Sequence, residues 1–316
     1  MATATQPVNG RVRKDTVNQE AVVKIFLTIV LAGTLLATQS ARAAERCLAA
    51  DATWPADWSE PYPAHRVIGN LYAVGNAGLS VYLITTDDGH ILVNTALQDS
   101  TAMIKNNIAA LGFRLEDVKL MLTTQAHFDH VAAFAEIKAL TGAQVWATPD
   151  DARVLEDGGA SDAHFGECLD FQFPAVTVDR RLDDGEVIEL GGLQVTTHHH
   201  PGHTEGSSSY SWTINEAGQD YRVAIINMGS INPGKKMLID PTYPGVAEDF
   251  AQTFHAQKEM QVDVWVSSHG SQYNLSEKHQ PGMAYDPNTF VDPDGLGQAV
   301  DALQKTFRLQ LNAELD

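Results

Sequence analysis

The stretch Thr123-Thr124-Gln125-Ala126-His127-Phe128-Asp129-His130 decides how this chain is read. Its tail is spaced His-x-Asp-His, and Gln125 stands two residues ahead of His127. Imidazole nitrogen and carboxylate oxygen are donors that Zn²⁺ accepts. In an extended segment residues two apart share a face. Gln125, His127 and Asp129 are therefore expected on one side and His130 on another, so one short loop can aim donors at two adjacent metal positions. Two further histidines follow apolar runs, His203 in Pro201-Gly202-His203-Thr204 and His269 in Ser267-Ser268-His269-Gly270. A lone buried histidine is more often hydrogen-bonded core than ligand. Four histidines, an aspartate and an amide at the ends of successive apolar runs are hard to explain that way.

Around this stretch, strands and helices alternate. Residues 79–85 and 90–95 flank Thr86-Asp87-Asp88-Gly89, a hairpin signal. Residues 101–111 read as a helix ended by Gly112, and 118–124 as a buried strand delivering Gln125. Residues 131–140 have helical spacing and stop before Gly142. A strand over 144–147 and a helix over 149–156, with Pro149 at its start, come next. Residues 158–174 read as a long loop, and long loops in compact domains tend to be functional. Strands are expected over 186–190, 193–198, 208–212, 221–227 and 262–267, and helices near 247–259 and 299–311. Ligands supplied from strand ends in two successive halves suggest an α/β fold of two packed sheets with helices outside.

The chain has 316 residues, 44% of them hydrophobic, enough for a sizeable core. Its formal charge is −19; five basic and two acidic residues lie within 1–43, leaving 16 basic and 38 acidic residues beyond, a net −22. Such a body has no basic surface to spare for phosphate backbones, which excludes nucleic acid as a partner. Residues 1–43 read as an export signal. Arg11, Arg13, Lys14 and Lys24 precede an apolar run over 25–38, and Ala41-Arg42-Ala43 offers small residues at a cleavage site. The run falls short of the about 20 residues of a membrane span; an uncleaved anchor is the alternative reading. The expectation is a periplasmic or secreted single domain over 44–316, a monomer free of the membrane after cleavage. Cys47 and Cys168 allow only one pairing, and the sequence leaves open whether they meet.

These motifs, in this order from about Ile68 to Asp286, resemble the metallo-β-lactamase superfamily. The resemblance implies a four-layer αβ/βα sandwich, two mixed sheets with helices outside and a metal cleft at one edge. Within the superfamily the chain is similar to the subclass B3 β-lactamases, in their variant where Gln replaces the first histidine of His-x-His-x-Asp-His. On that likeness Gln125, His127 and His203 form a first metal site, and Asp129, His130 and His269 a second. Ser230 matches a serine that contacts the substrate carboxylate, and Phe165 and Leu169 lie on a lid near the substrate. The implied activity is zinc-dependent hydrolysis of β-lactams (penicillins, cephalosporins, carbapenems) by a metal-bound hydroxide, a source of antibiotic resistance, with Asp129 as ligand and water orienter.

Two other readings stand beside it: a lactone or thioester hydrolase of the same fold, and a zinc-binding protein with little catalysis. Glyoxalase II-like thioesterases bring a bridging aspartate after the strand that follows the third histidine. Here Asn227 and Met228 stand there and offer no carboxylate. Gln125 offers a neutral amide oxygen, a weaker donor for zinc than imidazole. One or two zinc ions per chain are expected, with the second site the tighter, unless Gln125 is only a hydrogen-bonding neighbour. In the run His198-His199-His200, strand alternation leaves at most every other member facing one site, so His203 is expected as ligand instead. His65, His90, His164, His255 and His279 are expected at the surface or in loops, and Lys235 and Lys236 in a solvated turn beside the cleft.

Overall fold

The computed structural model describes Cys47 and residues 54–316; the expected export segment, 1–43, lies outside these residues. Strands β1 (His65–Ile68), β2 (Leu71–Ala73), β3 (Tyr82–Thr86) and β4 (Gly89–Val93) pair antiparallel in succession. Strands β5 (Val118–Leu122), β6 (Gln144–Ala147) and β7 (Arg180–Arg181) extend the sheet in parallel, giving seven strands in chain order. A second sheet holds β8 (Val187–Leu190), β9 (Leu193–His199), β10 (Ser208–Glu216), β11 (Gln219–Ile226) and β12 (Val264–Ser267), in the order β12-β11-β10-β9-β8. Its β11–β12 pair is parallel and the rest antiparallel.

Period-two alternation sorts the first sheet's side chains into two cores. Tyr82, Ile84, Ile91, Val93, Leu120 and Leu122 pack with Val195, Tyr210, Trp212 and Val223 of the second sheet. The intervening Leu83, Leu92 and Met121 pack with Ile104, Ile108, Phe134 and Ile137 of α1 (Thr101–Ala110) and α3 (Phe134–Thr141). A one-residue slip of any strand would exchange the two sets, so burial on both faces fixes the register. On the far side α5 (Val246–Glu259) and α7 (Gly295–Leu315) cover the second sheet through Phe250, Phe254 and Phe307. Helix, sheet, sheet, helix is the four-layer order expected. Among the described residues no helix is long and apolar enough to cross a membrane.

Local expectations hold with informative exceptions. The β3–β4 hairpin turns on Asp87-Asp88, with Thr86 opposite Gly89. Gly89 has φ +125°, and a Cβ there would lie 2.3 Å from Lys119 Cγ, so only glycine fits. The helix expected over 131–140 is split into α2 (Phe128–Val131) and α3. The His130 carbonyl accepts a hydrogen bond from Thr95 N (2.6 Å) at the break. Helix α4 (Pro149–Glu156) matches its expected bounds, and a last short helix, α6, spans Leu275–Lys278. Cys47 and Cys168 form a disulfide, which anchors the 158–174 loop to the start of the described chain.

Two expectations are overturned. His65 and His90 are buried on β1 and β4 instead of standing at the surface or in loops; His164 and His279 do lie in loops but are buried there, and His255 is exposed. Each buried ring has a tertiary partner: His65 stacks on His279 (3.9 Å), which also meets the Tyr62 hydroxyl (3.1 Å), His90 lies edge-on to Phe113 (5.3 Å), and His164 Nε2 donates to the Pro233 carbonyl (3.1 Å). Lys235 is buried as well, with its ammonium beside the rings of Tyr243 and Phe250, while Lys236 stays exposed.

Burial, reinforced by His279, holds His65 at a pKa of about 4, against about 6.5 in an unfolded chain. The folded state refuses a proton that the unfolded state takes. This group's contribution is intact above pH 6.5 and is lost as pH falls towards 4. Between pH 7 and pH 5 the unfolding free energy is expected to drop by about 2 kcal/mol on account of His65 alone. Chemical denaturation of His65→Phe at both pH values should show that much less loss than the parent chain; an equal loss would refute the assignment.

Candidate metal centre

The ligand-bearing turn is pinned by both sheets before any donor is placed. Asn94, in the left-handed region (φ 65°) at the end of β4, accepts from Thr124 N (2.9 Å) and Thr123 Oγ1 (3.2 Å). From the second sheet, Tyr210 OH donates to the Thr123 carbonyl (2.8 Å) and Ser208 N to the Thr124 carbonyl (2.8 Å). Thr124 Oγ1 and Ser268 Oγ lie 2.7 Å apart, tying this turn to the end of β12, which carries His269. Four strand ends thus meet at one edge of the sandwich, and the donors stand there.

His127 and His203 come together first. His127 Nδ1 and His203 Nε2 lie 3.2 Å apart. His203 Nδ1 donates to the Ser230 carbonyl (2.7 Å), which leaves Nε2 with a bare lone pair. His127 Nε2 lies 3.3 Å from Asp162 Oδ2, an ion-pair distance without hydrogen-bond alignment. A carboxylate there favours the proton on Nε2 and frees Nδ1. In that tautomer the two lone pairs face each other in a buried site and repel unless a cation lies between them. Nitrogens bound tetrahedrally to one zinc stand about 3.3 Å apart, given bond lengths of about 2.0 Å, close to the separation observed here.

The second group is Asp129, His130 and His269, whose donor atoms all lie within 4.8 Å of one another. His130 Nε2 is 3.1 Å and His269 Nε2 3.6 Å from Asp129 Oδ2. His130 is fully buried, and neither of its ring nitrogens has a hydrogen-bond partner. Orphaned nitrogens of this kind are expensive in an apolar interior and suit a cation. Burial pushes the Asp129 carboxyl up, but the imidazoles of His130, His269 and His127 outweigh it and hold it well below the usual range. Burial holds His269 at about 4, and burial with neighbouring charges puts His203 well below its ordinary value. Both rings are therefore neutral at pH 7, as a metal ligand must be. The residues fit a zinc centre.

The other sequence-derived candidates are placed unevenly. Gln125 is buried on the same turn, its backbone held by Thr123 Oγ1 on both its N–H (3.1 Å) and carbonyl (2.7 Å) sides. Half-buried Ser230 has its Oγ 3.4 Å from His203 Nδ1. Phe165 lies edge-on to His127 at 5.2 Å and stacks on Phe171. Leu169 is 79% exposed on the loop. The histidine run stays out of the centre: His198 meets Ser211 Oγ, His199 the Glu205 carbonyl and His200 Ser209 Oγ.

Residues that sequence reasoning passed over also matter. Asp162 sits inside the 158–174 loop, and its Oδ1 accepts from His164 N (2.9 Å) and Phe165 N (2.5 Å). The Asp-x-His-Phe spacing is an Asx-turn signal that was available in the sequence. Asp151, on α4, accepts from Thr204 Oγ1 (2.9 Å) next to His203, and burial raises its carboxyl to about 7. Neither Asp151 nor Asn94 carries a sequence signature of its role.

Comparison with known proteins agrees with this geometry. The family described as the metallo-beta-lactamase superfamily matches residues 75–216. The class B3 di-zinc metallo-beta-lactamase LRA-12, from an Alaskan soil metagenome, is 46% identical. Its structure superposes with a TM-score of 0.79, covering 82% of this chain and 98% of that one. A probable metallo-hydrolase of Burkholderia pseudomallei is 34% identical over 39% of this chain and 40% of its own. A hydroxyacylglutathione hydrolase of Fuscovulum blasticum is 33% identical over 37% of each. The chain thus spans about two fifths of the length of these curated relatives, but nearly all of the B3 enzyme. Similar along almost the whole of a class B3 enzyme, and sharing its two-sheet fold, this chain belongs to the metallo-β-lactamase superfamily of hydrolases.

Proposed function

We propose that this chain hydrolyses the amide bond of β-lactams at a zinc centre. In this reading Gln125, His127 and His203 hold one metal position, and Asp129, His130 and His269 the other. The observation that carries it is the donor set. Among the proposed metal donors Asp129 is the single carboxylate, and Asn227 and Met228 follow β11 where thioesterases of this superfamily bring a second one. The backbone of buried Asn227 is held on both sides, its N–H donating to Ser209 Oγ (2.9 Å) and its carbonyl accepting from Gln257 Nε2 (2.7 Å). Likeness to the B3 enzyme over nearly its whole length supports the same substrate class.

Zinc in these positions supplies Lewis acidity, which makes hydroxide available near neutral pH. The protein's part is to orient and to exclude. Asp129, kept ionised by three imidazoles, accepts a hydrogen bond from the attacking water and aims it at the lactam carbonyl. A carboxyl held that low orients the water and does not retain its proton. Ser230 Oγ donates to the substrate carboxylate. Phe165, seated on His127, keeps water off that side of the site. Strain in the four-membered ring lowers the barrier, and no covalent intermediate on the protein is needed.

Three outcomes are expected. Protein lacking residues 1–43 should hydrolyse a carbapenem and a chromogenic cephalosporin, and a chelator should abolish turnover until zinc is returned. Zinc binding without β-lactam turnover, joined to turnover of a lactone or thioester panel, would move the function to another hydrolase. Exchange of Gln125→His should raise zinc content and tighten the weaker site about tenfold, ~1.4 kcal/mol, by replacing an amide donor with imidazole. Unchanged affinity would mean that Gln125 is not a ligand.

A further inference from the structure

Lys235 is the one buried cation among the described residues, and no step above uses it. Its ammonium donates to the carbonyls of His203 (2.7 Å) and Gly202 (3.0 Å). The rings of Tyr243 and Phe250 lie 5.6 Å and 6.0 Å from it. Its own backbone is fixed from both sides, the N–H by the Asn232 carbonyl (3.1 Å) and the carbonyl by Gln310 Nε2 of α7 (2.6 Å). An apolar side chain of the same length would fill this space without the penalty of desolvating a charge. What the ammonium adds is a pair of charge-assisted hydrogen bonds to the backbone of the turn that carries His203.

That turn needs holding. Gly202 has φ +126°, and a Cβ there would lie 2.8 Å from the Phe250 ring, so its backbone is pressed onto the ring. The segment from Ser230 to Lys235 grips His203 twice, by its ring through the Ser230 carbonyl and by its backbone through the Lys235 ammonium. His164 Nε2 joins the loop of Asp162 to the same segment at Pro233. Asp162, beside His127, is also the foremost acidic neighbour of Lys235. One cation therefore stands behind both imidazoles of the first metal position.

We infer that Lys235 is a positioning residue for that position. It fixes the His203 turn so that Nε2 meets His127 Nδ1, and this preorganisation offsets the weak amide donor of Gln125. The inference rests on the metal-centre reading and not on the choice of substrate. Lys235→Met keeps the length and removes charge and donors. Zinc titration against a chromophoric chelator reads both binding steps, and the step lost in His203→Ala marks the first site. The expected result is a first-site affinity roughly 10- to 100-fold weaker in Lys235→Met, an unchanged second step through Asp129, His130 and His269, and recovery towards wild type in Lys235→Arg. If circular dichroism shows that Lys235→Met does not fold, Lys235→Gln carries the same comparison. Equal affinity at both sites, or equal weakening of both, would overturn the inference. A parent chain that binds no zinc would overturn the metal-centre reading itself, and this inference with it.

Discussion

Two imidazole nitrogens, His127 Nδ1 and His203 Nε2, face each other at 3.2 Å in a buried site and set the terms for the rest of the structure. In an apolar interior such a pair is stable only if other atoms fix each ring and a cation takes the lone pairs. The surrounding architecture reads as a set of answers to that demand. Asp162 stands behind His127, the Ser230 carbonyl behind His203, and Lys235 behind the His203 backbone. Asp162 comes from the 158–174 loop and the other two from the segment over 230–235, so the geometry of the pair depends on packing between distant parts of the chain.

The same edge explains the distribution of strain and burial. Non-glycine residues in the left-handed region include Asn94 and Ala96, at the end of β4 beside the ligand turn. Asn94 uses that conformation to present its side-chain oxygen to Thr123 and Thr124. Backbone of this kind persists where neighbours over-determine it, and here hydrogen bonds from both sheets do so. The loop over 158–174 is fixed at two points, by Asp162 within the centre and by the Cys47–Cys168 disulfide at its far end. The rings of Phe165 and Phe171, on either side of Cys168 in the chain, stack on each other.

Net charge plays a separate role. The chain is strongly acidic, yet the buried carboxylates Asp129 and Asp162 of the centre each stand against imidazoles. Asp129 and Asp162 both lie well below the usual carboxylate range despite burial, because neighbouring rings stabilise their charge.

The sequence by itself determined the ligand candidates, their order and the alternating pattern that makes two sheets with helices outside. Those features are local: His-x-Asp-His is read along one turn, and period-two alternation along one strand. It also located the 158–174 loop, though not the aspartate within it that reaches His127. Only the tertiary structure decided which nitrogen of each imidazole is free, because that depends on partners 27 to 35 residues away in the chain, or further. It also decided that Lys235, His65 and His90 are buried against expectation, and that His164 and His279 are buried within their loops. A polar side chain shows no periodicity that announces its partner, so His65 beside His279 and Lys235 beneath His203 become legible only when non-local packing closes around them.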